Sequence, residues 1–213
     1  GSYFSGQVSQ DGAAFFGWRK WVAFRNTLEN YVGDRAVILE TLDTAALYTA
    51  GKATITGSNF LVKVDGKYVR RWFGNGFNHA STKVWVNLQK IPPKTTMTLE
   101  TALLATGDVT EIRVYVNGDD AWNLIPKTGL ILVDSTQDEV FYYTKKSKGW
   151  SERKYIGIFT FDPNVEDENG NPLTAISRAE RSYNAANVPA AHAVGDNVYF
   201  IPYDIWFEYG DKY

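Results

Sequence analysis

The sequence predicts an all-β protein, in which a jelly roll or β-sandwich is followed by a small β domain. Apolar and polar residues alternate in many short runs, which is typical of strands with one buried face. Turn-forming residues separate these runs, and almost no helical period is present. Aromatic residues make up 15% of the 213 residues, enough rings for a substantial core and a composition that favours strands. Together these features favour a sandwich or jelly roll.

The first half of the chain carries the clearest strand and turn signals. The pair Asp65-Gly66 lies between two alternating runs and is the strongest β-hairpin signal in the sequence. Pro92-Pro93 ends a regular run, because proline cannot donate a hydrogen bond to a sheet ladder. Residues 1–17 show no sustained period and are predicted to be an arm. The other predicted elements are strands at 18–24, 35–41, 59–64, 67–73, 82–88, 96–104 and 109–116 and a short helix at 44–50.

The second half begins after a connector predicted at residues 117–127. Two apolar runs flank a polar corner and predict a hairpin. The charged segment 145–153 is predicted to be a solvated turn, and Gly195-Asp196 is predicted to turn the chain into a late strand. The predicted strands are 129–133, 139–144, 154–161, 197–202 and the aromatic run 203–209. The predicted domains are an arm at 1–17, a jelly-roll sandwich at 18–120 and a small β domain at 121–213.

Composition excludes several classes of function. The net charge of −2 gives no electrostatic footprint for nucleic acid or an acidic membrane. The absence of cysteine excludes disulfides, thiol chemistry and Cys-ligated zinc. No apolar run reaches the roughly 18 residues of a membrane span. No Gly-rich phosphate loop or redox motif is present, so no cofactor is expected.

Two histidines are the only candidates for histidine-based catalysis. Ser81 lies two residues from His79, but no nucleophile-elbow pattern surrounds it. For His192 we expect a structural role, in which the ring donates to a backbone carbonyl and braces the Gly-Asp turn. On that interpretation His192→Ala lowers stability by about 1 kcal/mol.

Two further patterns concern ligands. Alternate oxygen-bearing side chains in the loop 162–171 superficially resemble a calcium loop, but the glycine and the glutamate of that motif are misplaced. We therefore expect a solvated acidic loop and no metal.

Flat aromatic rings beside amide and Asp partners suit sugar stacking, and the candidate ligand-binding residues are Trp72, Phe77 and Trp85. The competing interpretation, which the sequence favours, places these rings in the sandwich core.

Residues 129–202 follow a distinctive order of hairpin, strand, long loop, Ala-Ala-His segment, Gly-Asp turn and strand. The residues that define it are Gly129, Leu130, Leu132, Glu139, Tyr143, Thr144, Gly157, Ile158, Ala190, Ala191, His192, Gly195, Asp196 and Val198. This pattern resembles a small β module of bacteriophage tail and other virion structural proteins. The chain departs from that module in an insertion at 162–176 and in the displacement of Arg178 or Arg181 away from Gly157-Ile158.

A second pattern occupies roughly residues 18–104. Its residues are Asp65, Gly66, Val69, Trp72, Trp85, Val86, Ile91, Pro92 and Thr98. It resembles a jelly-roll domain of unknown function that occurs in bacterial and viral surface proteins and is related in fold to lectin-like sandwiches. The family usually closes with an aromatic-Gly strand, and Leu103-Leu104-Ala105 departs from that.

These resemblances imply a non-enzymatic structural subunit of a phage-like virion: a tail, baseplate, fibre or capsid-decoration protein. Its expected partners are other virion subunits and copies of itself, with host-surface glycans as a further partner, and not nucleic acid or membrane. The expected location is the virion, with an extracellular or cell-surface location as the alternative. The alternative function is a carbohydrate-binding module or adhesin. A glycan-degrading enzyme is disfavoured, because no acid/base constellation is recognisable.

Overall fold

The computed structural model describes residues 2–7, 16–24, 33–91, 95, 97–105, 109–116, 118–135, 138–161 and 190–211. Strands account for 54% of the structure and helices for 7%, which confirms the predicted all-β, sandwich-like fold. The strands are β1 (Ser2–Gln7), β2 (Phe16–Val22), β3 (Arg35–Leu42), β4 (Leu61–Val64), β5 (Lys67–Val69), β6 (Arg71–Gly74), β7 (Thr82–Leu88), β8 (Met97–Leu99), β9 (Glu111–Val116), β10 (Gly129–Asp134), β11 (Glu139–Tyr143), β12 (Lys145–Ser151), β13 (Lys154–Thr160), β14 (Asn197–Ile201) and β15 (Ile205–Asp211). The helices are α1 (Thr44–Thr49) and α2 (Asp119–Leu124).

The chain forms two compact units that are not consecutive in sequence. The first comprises Gly1–Phe24, Tyr31–Ile91 and Tyr203–Tyr213, and the second comprises Arg25–Asn30 and Pro92–Pro202. This division differs from the predicted limits of 18–120 and 121–213. Strands β8 and β9 pair within the second unit, and β15 pairs with β2 and β4 of the first. Alternation in the sequence indicates which face of a strand is buried, but it does not identify the partner strand.

The first unit is a sandwich of two antiparallel sheets. One has the strand order β1-β2-β15-β4-β5 and the other β3-β7-β6. Apolar side chains of both sheets form one core, with Val62 and Phe207 from the larger sheet and Val84 and Val86 from the smaller. Residues 2–7, predicted to belong to an arm, pair with β2 of the same chain. The predicted helix is confirmed as α1, which Asp43 caps by accepting a hydrogen bond from the backbone of Ala46.

The Asp65-Gly66 hairpin is confirmed, but the strand predicted after it is divided in two. Asp65 and Gly66 have φ of 49° and 81°, as a two-residue hairpin turn between β4 and β5 requires. The predicted strand 67–73 is divided at Arg70, where the chain leaves one sheet and enters the other. An unbroken run of β-forming residues therefore concealed a sheet-to-sheet crossing.

The second unit is a seven-stranded antiparallel sheet in the order β11-β10-β14-β8-β9-β13-β12, curved as a half-barrel. Strands β11 and β13 lie near opposite ends of this order, yet the ring centroids of Tyr143 and Phe159 are 4.7 Å apart. The backbone N–H of Thr144 donates to the carbonyl of Thr160 at 2.9 Å. The curvature therefore brings the two ends of the sheet together around one apolar core.

Two segments of the second unit differ from prediction. Residues 145–151 form the edge strand β12 instead of a solvated turn, and Glu152 and Arg153, with φ of 45° and 66°, make the turn into β13. The predicted connector at 117–127 contains α2. The hairpin β10–β11 and the strands β13 and β14 are confirmed.

Several predictions fall on residues that the structure does not describe. The acidic loop 162–171, the insertion 162–176 and Arg178 and Arg181 all lie outside the described residues. Within the described part of the chain, neither helix has the length or apolar character to cross a membrane.

Candidate functional site

A row of apolar side chains crosses the outward face of the three-stranded sheet. Ile38 on β3 pairs with Trp85 on β7, which pairs with Trp72 on β6. The neighbours of Trp85 along β7 point into the core, so the three side chains share the opposite face. Ile38 is 42% exposed and Trp72 41% exposed, while Trp85 is half-buried. We call Ile38, Trp85 and Trp72 the aromatic row. Neighbouring strands lie about 4.8 Å apart, so a row across three strands is about 10 Å long.

Gly74 leaves room for the Trp85 indole within this row. A Cβ atom at Gly74 would lie 2.9 Å from the Trp85 Nε1 atom and 3.2 Å from the Lys83 Cβ atom. Any larger residue at position 74 would therefore displace the indole. Glycine here shapes the surface of the row and is not required by a turn.

Polar groups border the aromatic row on one side. A groove of about 500 Å³ is lined by Val69, Arg70, Trp72 and Asn87. The Asn87 side chain is fixed, since its Nδ2 atom donates to Asp34 Oδ1 at 2.6 Å. An exposed ring thus lies next to a guanidinium and an amide, the arrangement that binds a ligand with both apolar faces and hydroxyl groups.

Phe77, the third predicted ligand residue, does not join the row. Its ring packs against the rings of Phe60 and Phe73, with centroids 5.7 and 4.9 Å away. A Cβ atom at Gly57 would lie 2.5 Å from this ring. Phe77 therefore packs against the core, as the competing interpretation expected, whereas Trp72 is exposed and Trp85 is partly so.

His192 lies at the centre of a buried polar cluster in the second unit. Its Nε2 atom is 3.0 Å from Glu139 Oε1, and its Nδ1 atom is 2.8 Å from Ser135 Oγ. Glu139 Oε1 also accepts the backbone N–H of Ala190 at 2.7 Å. A carboxylate oxygen only accepts, so the network assigns a proton to Nε2, and a neutral ring then accepts the Ser135 hydroxyl at Nδ1. The ring therefore bonds two side chains, and the expected bond to a backbone carbonyl is not among them.

Ser135, His192 and Glu139 are linked by hydrogen bonds in the same order as the residues of a hydrolytic triad. Their burial, however, is typical of a cluster that stabilises the fold. The side chains of both His192 and Glu139 are 0% exposed. The backbone N–H and carbonyl of His192 pair with Leu103, so the cluster joins β10, β11 and the segment before β14 to the chain after β8. The cluster connects four segments of the second unit.

The Gly-Asp turn that follows is confirmed. Gly195 has φ of 91°, and its N–H donates to the carbonyl of Leu99 at 2.9 Å. Asp196 Oδ2 accepts the N–H of Ala193, and the Asp196 carbonyl accepts the N–H of Leu99, both at 2.9 Å. The turn is thereby fixed to the end of β8.

Sequence reasoning did not find the partners of His192. Ser135 and Glu139 both flank a corner of the hairpin, where polar residues usually face water. The available signal was Glu139 itself, since an acidic residue at the start of an apolar strand needs a partner if it is buried. His79, by contrast, is exposed, and its Nδ1 atom accepts the backbone N–H of Ser81 at 2.9 Å, not the hydroxyl.

Comparisons of the chain with protein-family models, with curated proteins and with solved structures found no match. The function must therefore be inferred from the chain's own residues.

Proposed function

We propose that this chain is a non-enzymatic structural subunit of a phage-like virion that attaches to host-surface carbohydrate through the aromatic row. The observation that carries the attachment role is the exposed Trp72 indole beside Trp85 on the outer face of a sheet. Large exposed apolar surfaces on a folded unit usually mark a binding site. The virion would be the protein's location, in a tail, baseplate, fibre or capsid decoration.

The chemistry of the aromatic row suits a sugar. One face of a pyranose ring presents C–H groups, which stack on an indole, while its hydroxyl groups need polar partners at the rim. Arg70 and Asn87 supply donors on the Trp72 side. The strands also hold the two indoles more rigidly than a loop would, which reduces the entropy lost on binding. A span of about 10 Å accommodates about two sugar rings.

The assignment to a virion rests on the resemblance of residues 129–202 to a phage module. Two residues that carry this resemblance, Glu139 and His192, bond each other within the core. Two others, Gly195 and Asp196, make the turn that is fixed to β8. These contacts give the pattern a structural purpose, which supports a module selected for shape and assembly and not for catalysis.

The alternative function, a carbohydrate-binding module or adhesin, is favoured by the same aromatic row. The two proposals differ in assembly, since a virion subunit must associate with copies of itself or with other subunits. Light scattering over a range of concentrations measures self-association directly. A protein that stays monomeric at high concentration, and binds no other particle subunit, would contradict the virion proposal and leave the carbohydrate-binding alternative.

The attachment role can be tested on a glycan array, followed by calorimetry with the neutral sugars that bind. We expect Trp72→Ala to weaken binding at least tenfold, or about 1.4 kcal/mol. We expect Gly74→Ala to weaken it as well, because the added methyl displaces the Trp85 indole while both tryptophans remain.

The matched control is Tyr48→Ala, which removes an exposed aromatic ring of α1 that belongs to neither the aromatic row nor its groove. Unchanged binding in this control would assign the effect to the aromatic row. If no neutral glycan binds the wild type, or if Trp72→Ala binds neutral glycans as tightly as the wild type does, then the attachment role is wrong.

A further inference from the structure

The second unit contains a groove of about 510 Å³ that the proposed function does not use. Its lining includes Thr98, Tyr115, Trp122, Lys148, Lys154 and Tyr155. These residues come from β8, β9, α2, β12 and β13, so strands distant in sequence bring them together. The lining combines aromatic rings, a hydroxyl group and two ammonium groups.

The groove lies against the most basic segment of the chain. Residues 145–154 contain five basic residues and one acidic residue, a net charge of +4 in a chain whose net charge is −2. β12 and β13 form an antiparallel hairpin, so these charges lie on adjacent strands. Lys146 makes a hydrogen bond within the protein, in which its Nζ atom donates to the Trp122 carbonyl at 2.6 Å. Burial lowers the pKa of Lys146, and the like charge of Lys148 adds to this effect.

The ring of Tyr155 lines the groove and packs against a second exposed ring outside it. Tyr155 is 61% exposed and Trp150, beside it, is 59% exposed. Their rings pack edge to face, with centroids 4.6 Å apart and planes at 82°. Inside the groove, Lys154 Nζ lies 5.5 Å from the centre of the Tyr115 ring.

The floor of the groove depends on a glycine. A Cβ atom at Gly157 would lie 2.3 Å from the Trp122 ring. Trp122 therefore packs directly on the backbone of β13 at Gly157, which pairs with Lys148 of β12. The apolar floor at Trp122 and the ammonium groups of Lys148 and Lys154 line the same groove.

We propose that this groove is a second binding site, which takes an anionic saccharide, an oligosaccharide bearing carboxylate or phosphate groups. Lys148 and Lys154 bind the anionic groups, and Tyr115 and Tyr155 pack against the sugar rings. The volume suits two to three rings, within the range usual for small-molecule sites.

The geometry favours a saccharide over single-stranded nucleic acid. Nucleic-acid grooves stack successive flat bases and follow the backbone with a long track of cations. Here the exposed rings are perpendicular to each other and do not form a parallel slot. The net charge of −2 over the whole chain also opposes a long polyanion, whereas the local charge of +4 suffices for one or two anionic groups.

The test uses the whole chain and a panel of carboxylated and phosphorylated oligosaccharides, each with its neutral counterpart, such as tetragalacturonate and its methyl ester. Calorimetry measures each affinity at low and at high salt. We expect at least one anionic member to bind at least tenfold more tightly than its neutral counterpart, and more weakly as salt rises. The double variant K148Q/K154Q should lose at least tenfold of that affinity, and Tyr155→Ala should weaken it too.

The control variant is K67Q/K83Q, which removes two exposed lysines of the first unit and should bind normally. Binding here should also survive Trp72→Ala, so failure of this site and failure of the aromatic row are distinguishable. The proposal is overturned if no anionic member binds below about 1 mM, if the neutral counterparts bind equally well, or if K148Q/K154Q, folded by circular dichroism, binds as the wild type does. Tighter binding of a single-stranded oligonucleotide than of every saccharide would overturn it as well.

Discussion

Replacing His192 by alanine tests whether the buried cluster is a structural brace. A single hydrogen bond would be worth about 1 kcal/mol, the value expected from the sequence. The structure predicts more, because the variant loses two side-chain hydrogen bonds, one of them to the fully buried carboxylate of Glu139. A hydrogen bond to a charged group is worth about 1.5–3 kcal/mol, and one between neutral groups about 1 kcal/mol. The N–H of Ala190 still donates to Glu139, so we expect a total loss of about 3 kcal/mol.

Urea unfolding followed by circular dichroism, together with thermal melting, measures this loss. For a unit of about 100 residues, 3 kcal/mol lowers the melting temperature by about 10 °C or more. Glu139→Gln is the matched background, because its amide oxygen accepts hydrogen bonds without a negative charge. In that background His192→Ala removes two hydrogen bonds between neutral groups, so it should cost about 2 kcal/mol, which gives a coupling energy of about 1 kcal/mol.

Two results would refute this reasoning. If His192→Ala costs the same in both backgrounds, Glu139 and His192 are not coupled and the larger magnitude is wrong. If His192→Ala leaves the melting temperature unchanged but abolishes sugar binding or hydrolysis, then His192 is a site residue and the structural interpretation fails.

The remaining predictions concern two positions in β-structure. Gly157→Ala places a methyl group within 2.3 Å of the Trp122 ring, so thermal unfolding should show a loss of stability of about 1–3 kcal/mol. The control is Gly33→Ala, because a Cβ atom there meets nothing within 4 Å. Equal losses in the two variants would contradict the packing argument. Partial burial raises the pKa of Asp65 above 3.8, the charge of Asp204 adds to this, and a hydrogen bond from the Asp204 backbone opposes it. A raised carboxyl pKa means that stability falls as pH rises through it. Asp65→Asn keeps the acceptor and suits φ of 49°, so it should stabilise the protein at pH 7, by only a few tenths of a kcal/mol because solvent screens this exposed position. Melting temperatures between pH 3 and pH 7 should show this advantage growing with pH, and a constant or negative difference would contradict it.

Local signals in the sequence predicted most of the elements. The turn at Asp65-Gly66 needs positive φ at two successive residues, which this pair supplies, and β7 alternates so regularly that its buried face could be read directly. The exposed position of Trp72 follows from pairing, since it lies opposite Trp85 on the outward face. Local pattern alone could not separate these indoles from Phe77, which the fold places against the core.

What the sequence could not reveal depends on contacts between distant residues. β12 is an edge strand rich in lysine, and without apolar alternation it was predicted to be a turn. Glu139 and His192 are 53 residues apart, and only the folded half-barrel brings their side chains within hydrogen-bonding distance. The groove of the second unit has the same origin, because its two lysines and two tyrosines come from three strands.

The position of β15 determines the order in which the chain can fold as it is synthesised. β15 lies between β2 and β4 in the middle of a five-stranded sheet, although it follows β1 to β14 along the described part of the chain. While the ribosome makes the strands of the second unit, β2 and β4 lack their common neighbour, and their edges are open to incorrect pairing. The second unit has all its strands once Ile201 has emerged, so it can close first. The first unit can close only when residues 205–211 have left the ribosome, so β2 and β4 wait for their common neighbour until the second unit has been made.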